Sequence, residues 1–308
     1  MLAVTAMAGA ETTSPAAGEP ASTFAAELVG WATQNGGTTG GAGGETVQVD
    51  SVAAFTEAVT DGQARVVEVT GALALPDMTP VGSNKTIVGV GGDATITGGG
   101  LTLSESTNVI IQNLTFDDWN DDAINIEDES TNVWVDHNSF GVGFDGAVDI
   151  KRGSDFITVS WNRVTGHNKV MLLGHSDNNG AQDIGKLRVT YHHNFFEGTV
   201  QRNPRVRFGN PVHVFNNLYQ DVSGYGVAST EDAGVLVEGN VFVGVDDPFH
   251  LAEAASGPGT LIARDNLLLD SGTGEAGGDV ADIPYAYQLD PASEIEALVT
   301  AGAGAGRL

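Results

Sequence analysis

Short runs of alternating apolar and polar residues recur along this chain, each broken by an asparagine and followed by a second apolar run. They read IIQNLTF at 110–116, WVDHNSF at 134–140, TVSWNRV at 158–164 and TYHHNFF at 190–196. The pattern continues as HVFNNLY at 213–219, LVEGNVF at 236–242 and ARDNLLL at 263–269. Alternation over a few residues, rich in Val, Ile, Thr and aromatics, is the pattern of half-buried strands. The asparagines stand at 113, 138, 162, 194, 217, 240 and 266, so the spacings are 25, 24, 32, 23, 23 and 26.

A period near 24 belongs to a stacked repeat, because one unit of this size cannot bury its own apolar face. Leucine-rich repeats need a dense leucine scaffold that is missing here. Strands separated by Gly and Asn turns instead predict an all-β solenoid of parallel coils, with equivalent residues about 4.8 Å apart. Seven equivalent asparagines would then form a ladder of side-chain amides along the stack. The long spacing of 32 holds an extra loop, GHSDNNGAQDIGK at 174–186, expected to project on a binding face.

The ends depart from the repeat. Residues 22–33 place Phe24, Leu28 and Trp31 at helical spacing, and the pattern predicts an amphipathic helix capping the first coil. The tail from Gly272 is rich in Gly and Ala and is expected to pack irregularly along the outside. Met1 to Ala10 is small and apolar with an Ala-x-Ala-like end at Ala6 to Ala8, which suggests the remnant of an export signal. The expected organisation is a leader over 1–20 and one domain over 21–308.

Charge narrows the chemistry. The 308 residues carry 13 Lys+Arg against 40 Asp+Glu, a formal charge of −27, and no cysteine. Disulfides, zinc-thiolate sites and thiol nucleophiles are excluded. So strong a negative charge argues against nucleic-acid and anionic-membrane partners, and no run of about 18 apolar residues predicts a membrane span. A lysine-poor acidic surface also suits very high salt, and a high-salt origin is expected on that ground; an ordinary acidic secreted protein is the alternative.

The charges are unevenly placed. From Asp117 to Asp149 there are ten acids and no base, whereas from Lys151 to Arg207 there are nine bases and four acids. Asp122 and Asp145 are 23 residues apart, one coil, and are expected to face the same point from adjacent coils. Asp149 would lie about 13 Å from Asp145 along a straight strand, and a bend at Gly146 would bring the two together. Three converging carboxylates suit a hard cation such as Ca²⁺; a solvated acidic rim is the alternative. Lys151 shares the strand face of Asp149, Lys169 lies about one coil on, and Arg202 to Arg207 follow past the loop. Carboxylates, then lysines, then arginines lay out a groove for a polyanion, with structural pairing the alternative for Arg205. The seven histidines mostly fall at strand or ladder positions and are expected to be stacked and hydrogen-bonded.

The chain resembles the pectate lyase family, of the pectate lyase C type. The resemblance runs from about Gly30 to Gly306 and rests on several segments. These are VGWATQNGGTTGG at 29–41, NKTIVGVG at 84–91, NVWVDHNSF at 132–140 and DGAVDIKRGSDFITVSWN at 145–162. HNKVMLLGHSD at 167–177 and QRNPRVRFGNPVHVFNN at 201–217 complete it. The resemblance implies a right-handed parallel β-helix and Ca²⁺-dependent cleavage of polygalacturonate by β-elimination. It implies Asp122, Asp145 and Asp149 as calcium ligands and Lys151, Lys169 and Arg207 as binders of substrate carboxylates. Arg202, first in R-x-P-R-x-R, matches the base that removes the C5 proton. Arginine normally stays protonated, so that role needs neighbours that disfavour its charge and implies an alkaline optimum. Asn120 stands where the family has a further acidic calcium position. A secreted monomer is expected. Two other classes remain: a calcium-independent pectin lyase acting on methyl-esterified polymer, and a non-catalytic polysaccharide-binding β-helix.

Overall fold

The computed structural model describes residues 27–308. The expected leader over 1–20 and Phe24 lie outside the described residues. Among the described residues the chain winds into three parallel sheets of ten, nine and eight strands. The first runs from Glu45–Val49 to Thr260–Arg264, the second from Ala72–Ala74 to Leu267–Leu269, and the third from Thr79–Pro80 to Phe249–Leu251. Eight successive coils contribute one strand to each sheet, while the first adds only Glu45–Val49 and the last only Thr260–Arg264 and Leu267–Leu269, which makes a right-handed parallel β-helix. No described helix is long and apolar enough to cross a membrane.

Register follows from the apolar pattern, since a slip of one residue would turn every inward side chain outward. On the first sheet Val109, Val133, Ile157, Val189, Val212, Val235 and Leu261 stack in one inward row, all essentially fully buried. On the second, Phe196, Tyr219 and Phe242 stack face to face at 4.8 and 4.3 Å between centroids.

The asparagine ladder forms with six members. Asn138, Asn162, Asn194, Asn217, Asn240 and Asn266 each bond to the next, amide to carbonyl, at 3.0–3.1 Å. Asn113 is not the seventh. Its spacing of 25 shifts it by one residue, so Leu114 occupies the ladder row and its N–H donates to Asn138 Oδ1. Asn113 falls instead in the neighbouring row of left-handed turn residues, at φ +57°, with His137, Trp161 and His193. Asparagine tolerates that conformation better than most residues.

The expected helix over 22–33 is not present in its described part. Leu28 and Val29 are irregular and Trp31–Thr33 is a single 3-10 turn. This segment lies across the outside of the first sheet, with the Trp31 and Ala32 N–H groups on Thr190 and Thr158 Oγ1 at 3.0 and 3.1 Å. Leu28 and Ala32 pack on Ile110 and Trp134 there, so the apolar spacing serves a flat outer surface rather than a helix face. The capping helix is α1 (Val52–Thr60), with Ser51 at its N-terminus and Phe55 and Val59 fully buried over the first coils.

The inserted loop carries a 3-10 turn and the one-turn helix α2 (Gly180–Asp183). The tail packs along the outside, as expected, but ends in a helix, α3 (Ala292–Gly302). Its Ile295 and Val299 cover Phe195, Leu218 and Val241.

Candidate active site

The third sheet presents two outward rows. One carries Thr102, Asn125, Asp149, Leu172 and Arg205, the other Ser104, Glu127, Lys151, Gly174 and Arg207. Period-2 alternation thus puts Asp149 and Lys151 on one face, with Ile150 between them in the core. Asp122, Asp145, Lys169 and Arg202 come from the turns that lead into this sheet.

The backbone of Gly146 organises the acids. Its N–H donates to Asp122 Oδ1 at 2.8 Å, and the Asp149 carboxylate rests directly against its Cα. Asp149 Oδ1 also accepts from the Leu172 N–H at 3.1 Å. Burial and then the charge of Asp122 push the Asp149 pKa up to about 8, and burial raises that of Asp122 as well. Lys151 Nζ stands 3.3 Å from Asp122 Oδ2; burial opposes its charge, but the two carboxylates prevail and raise its pKa.

Asp145 takes a different position. Its Oδ1 lies 3.2 Å from Lys169 Nζ and 3.7 Å from Arg202 Nη1, yet it is buried and accepts no well-directed hydrogen bond. Among the described residues no three acidic or imidazole groups share ligating geometry. The expected trio is therefore split: Asp122 and Asp149 meet at Gly146, while Asp145 is drawn to two cations. The donor set nonetheless fits a hard dication. Burial raises the proton affinity of both Asp122 and Asp149, the charge of Asp122 raises that of Asp149 further, and a buried oxygen of Asp145 accepts no well-directed hydrogen bond.

Arg202 holds φ +63°, uncommon for a residue with a side chain. Its guanidinium is largely buried, and Nε has no partner. Arg207 is anchored by Asp177 Oδ1 at 2.6 Å and the Gly174 carbonyl at 2.8 Å. Arg205 donates to Ser256 Oγ at 2.7 Å and the Glu253 carbonyl at 3.2 Å, a structural setting as expected, though without a carboxylate partner.

Several residues escape a reading of the sequence. Asp177, in the inserted loop, reaches the groove and holds both Arg207 and Ser256. His167 Nε2 and Trp119 Nε1 both meet the Asp145 carbonyl, at 2.7 and 3.2 Å, and fix the turn that presents Asp145. Burial lowers the His167 pKa and keeps it neutral. Only the length of the insertion signalled Asp177; nothing in the spacing signalled His167. His137 and His193 stack on either side of Trp161, and His192 stacks on Phe215.

A model of the pectate lyase family matches residues 16–256. The chain belongs to the pectate lyase family. It is 41% identical over 286 residues to a probable pectate lyase A of Aspergillus flavus, covering 89% of this chain and 87% of that one. It is 40% identical over 243 residues to pectate lyase E of Dickeya chrysanthemi, covering 63% of each. Among solved structures it is similar to a Bacillus pectate lyase in complex with trigalacturonate, with TM-score 0.79, 30% identity and 91% and 99% coverage. A pectate lyase II of Xanthomonas campestris gives TM-score 0.76 at 26% identity, with the same coverage. As a member of this family the protein is a polysaccharide lyase, and its outward acid–base groove stands on the third sheet of the shared fold.

Proposed function

We propose that this lyase cleaves α-1,4-linked polygalacturonate by Ca²⁺-dependent β-elimination and releases unsaturated oligogalacturonides. The observation that carries the reading is the meeting of acids and bases at the third sheet, with Lys151 Nζ 3.3 Å from Asp122 Oδ2 and Lys169 Nζ and Arg202 Nη1 3.2 and 3.7 Å from Asp145 Oδ1. There Asp122, Asp145 and Asp149 hold the cation, and Lys151, Lys169 and Arg207 bind uronate carboxylates. Bound Ca²⁺ supplies positive charge to a substrate carboxylate, which makes the adjacent C5–H more acidic. Lys151 and Lys169 add fixed charge where the enolate develops. Arg202 takes the C5 proton; the C5–H electron pair forms the C4–C5 double bond as the C4–O bond breaks, and the leaving oxygen departs with its chain. Arg202 Nε has no partner among the described residues, which leaves it free to meet the substrate and supports the base role.

Residues 21–308 act as one secreted, monomeric domain in this reading, preceded by a leader over 1–20. Nucleic acid is no partner of a chain with charge −27. The high-salt origin rests on that charge alone. The test is ultraviolet absorbance of unsaturated product from polygalacturonate, with Ca²⁺ and with excess chelator. Product that forms only with Ca²⁺ supports the reading. Undiminished product in chelator, with methyl-esterified pectin preferred, assigns a pectin lyase, and binding without product assigns a non-catalytic module.

A further inference from the structure

Beside the groove, on the turn that leads into Asp145, two large apolar side chains stand in solvent. Phe144 is 72% exposed and Val142 56% exposed. On a chain of charge −27, with most large apolar residues buried, an adjacent pair of this kind marks a contact surface. The pair borders a concavity of about 550 Å³ whose walls include Asp118, Trp119, Asn120, Val142 and Phe144. No Lys or Arg lines it.

The concavity is preformed. The Val142 N–H donates to Asp117 Oδ1 at 3.1 Å, its carbonyl accepts from the Asp118 N–H at 2.9 Å, and the Phe144 N–H donates to the Trp119 carbonyl at 2.9 Å. Gly143 lies so flat on the Trp119 indole that an added Cβ would stand 2.1 Å from the ring. The turn therefore runs as an extension of the preceding coil and holds both side chains outward. It is also continuous with the groove: Phe144 precedes Asp145, and Lys169 Nζ stands 5.8 Å from the Phe144 ring centroid.

Charge selects the occupant. In the groove a uronate carboxylate meets Lys151, Lys169 and Arg207. In the concavity it would meet the Asp118 carboxylate and an apolar wall, with no cation to pair with. A methyl-esterified uronate carries no charge there, and its methyl group and the C–H face of its ring suit Val142 and Phe144.

We propose that this concavity is a subsite for a methyl-esterified galacturonate unit, neighbouring the free uronate that is cleaved. The proposal rests on the polygalacturonate reading of the groove. It makes the protein selective for partly esterified chains, with the ester outside the cleavage position and the free acid within it.

The experiment compares wild type, V142A/F144A and D118N. Calorimetric Kd values are measured at saturating Ca²⁺ for trigalacturonate and for trigalacturonate methyl-esterified on one terminal unit only, which keeps free acids for the groove. KM is measured on polygalacturonate and on low-ester pectin. The wild type should bind the esterified form more tightly, and V142A/F144A should lose about fourfold or more in Kd and KM for esterified ligand. Its KM on polygalacturonate and its kcat should be unchanged. D118N should gain affinity for the unesterified form. Equal weakening on both ligands, no weakening on either, or a concentration-dependent dimer that V142A/F144A abolishes would overturn the subsite. If the wild type yields no unsaturated product, the lyase reading fails, and the paired Kd values still decide the subsite.

Discussion

The Asp149 carboxylate lies against Gly146 so closely that a methyl group on the glycine would stand 2.0 Å from Oδ1. Gly146 does not have the left-handed backbone that would by itself demand glycine, so alanine there acts through that clash alone. Gly146→Ala should fold, with an unchanged circular dichroism spectrum, while Asp149 is displaced. The Ca²⁺ concentration for half-maximal rate should rise by about 10–100-fold, as for other groups that orient metal ligands. An unchanged Ca²⁺ titration would show that Asp149 does not hold the cation.

Asp149 also sets a pH dependence. Its folded pKa is raised from 3.8 to about 8 by burial and then by Asp122. The folded state therefore keeps a proton that the unfolded chain releases, and stability falls as pH rises through that window. In chelator the melting temperature should drop between pH 5 and pH 8, and Asp149→Asn should flatten the drop. Added Ca²⁺ at pH 8 should raise the wild-type value and leave that of Asp149→Asn nearly unmoved. Identical chelated profiles for the two proteins would refute the assignment.

Arg202 and Arg207 should separate kinetically. Arg202→Lys keeps the charge but changes geometry and proton affinity. If Arg202 is the base, single-turnover rate falls by on the order of 10³ while oligogalacturonate still binds. Arg207→Lys loses the geometry that Asp177 and Gly174 hold, and should mainly raise KM. An Arg202→Lys enzyme retaining most of its single-turnover rate would shift the base role to Lys169.

The ladder predicts a large stability effect at a residue far from the groove. Asn217 donates to Asn240 Oδ1 and the Tyr191 carbonyl, and its own Oδ1 accepts from Asn194. Asn217→Ala leaves several buried groups without partners, at about 1–3 kcal/mol each before relaxation. Denaturant unfolding should show a loss of about 3 kcal/mol or more, with the Ca²⁺ titration of surviving enzyme unchanged. A loss below about 1 kcal/mol would mean that the ladder marks turns without stabilising them.

Net charge gives a separate test. With charge −27, self-repulsion at low ionic strength is strong, and molar salt shortens the screening length to about 3 Å. The melting temperature should rise between dilute buffer and molar NaCl. A flat response would remove the high-salt origin and leave the lyase assignment intact.

Much of the architecture was legible in the chain because its causes are local and repeated. Alternating apolar residues specify inward rows, left-handed turn residues close each coil, and a period near 24 forces stacking; six of the seven asparagines accordingly met in one ladder. Asn113 missed it because a shift of one residue, invisible in an average period, decides which row a side chain joins. Residues 27–33 kept their apolar spacing but met a flat sheet instead of a core, and α1 took the capping role. Asp149 and Lys151 could be set side by side from spacing alone, since strand alternation fixes their common face. Where Asp145 points could not, because that depends on Lys169 and Arg202 from later coils. Nor could the roles of Gly146, His167 and Asp177, whose partners lie 3, 22 and 30 residues away in the chain. The periodic backbone is written in short-range pattern; the charges it gathers interact across coils, and only the packed stack brings them within reach of one another.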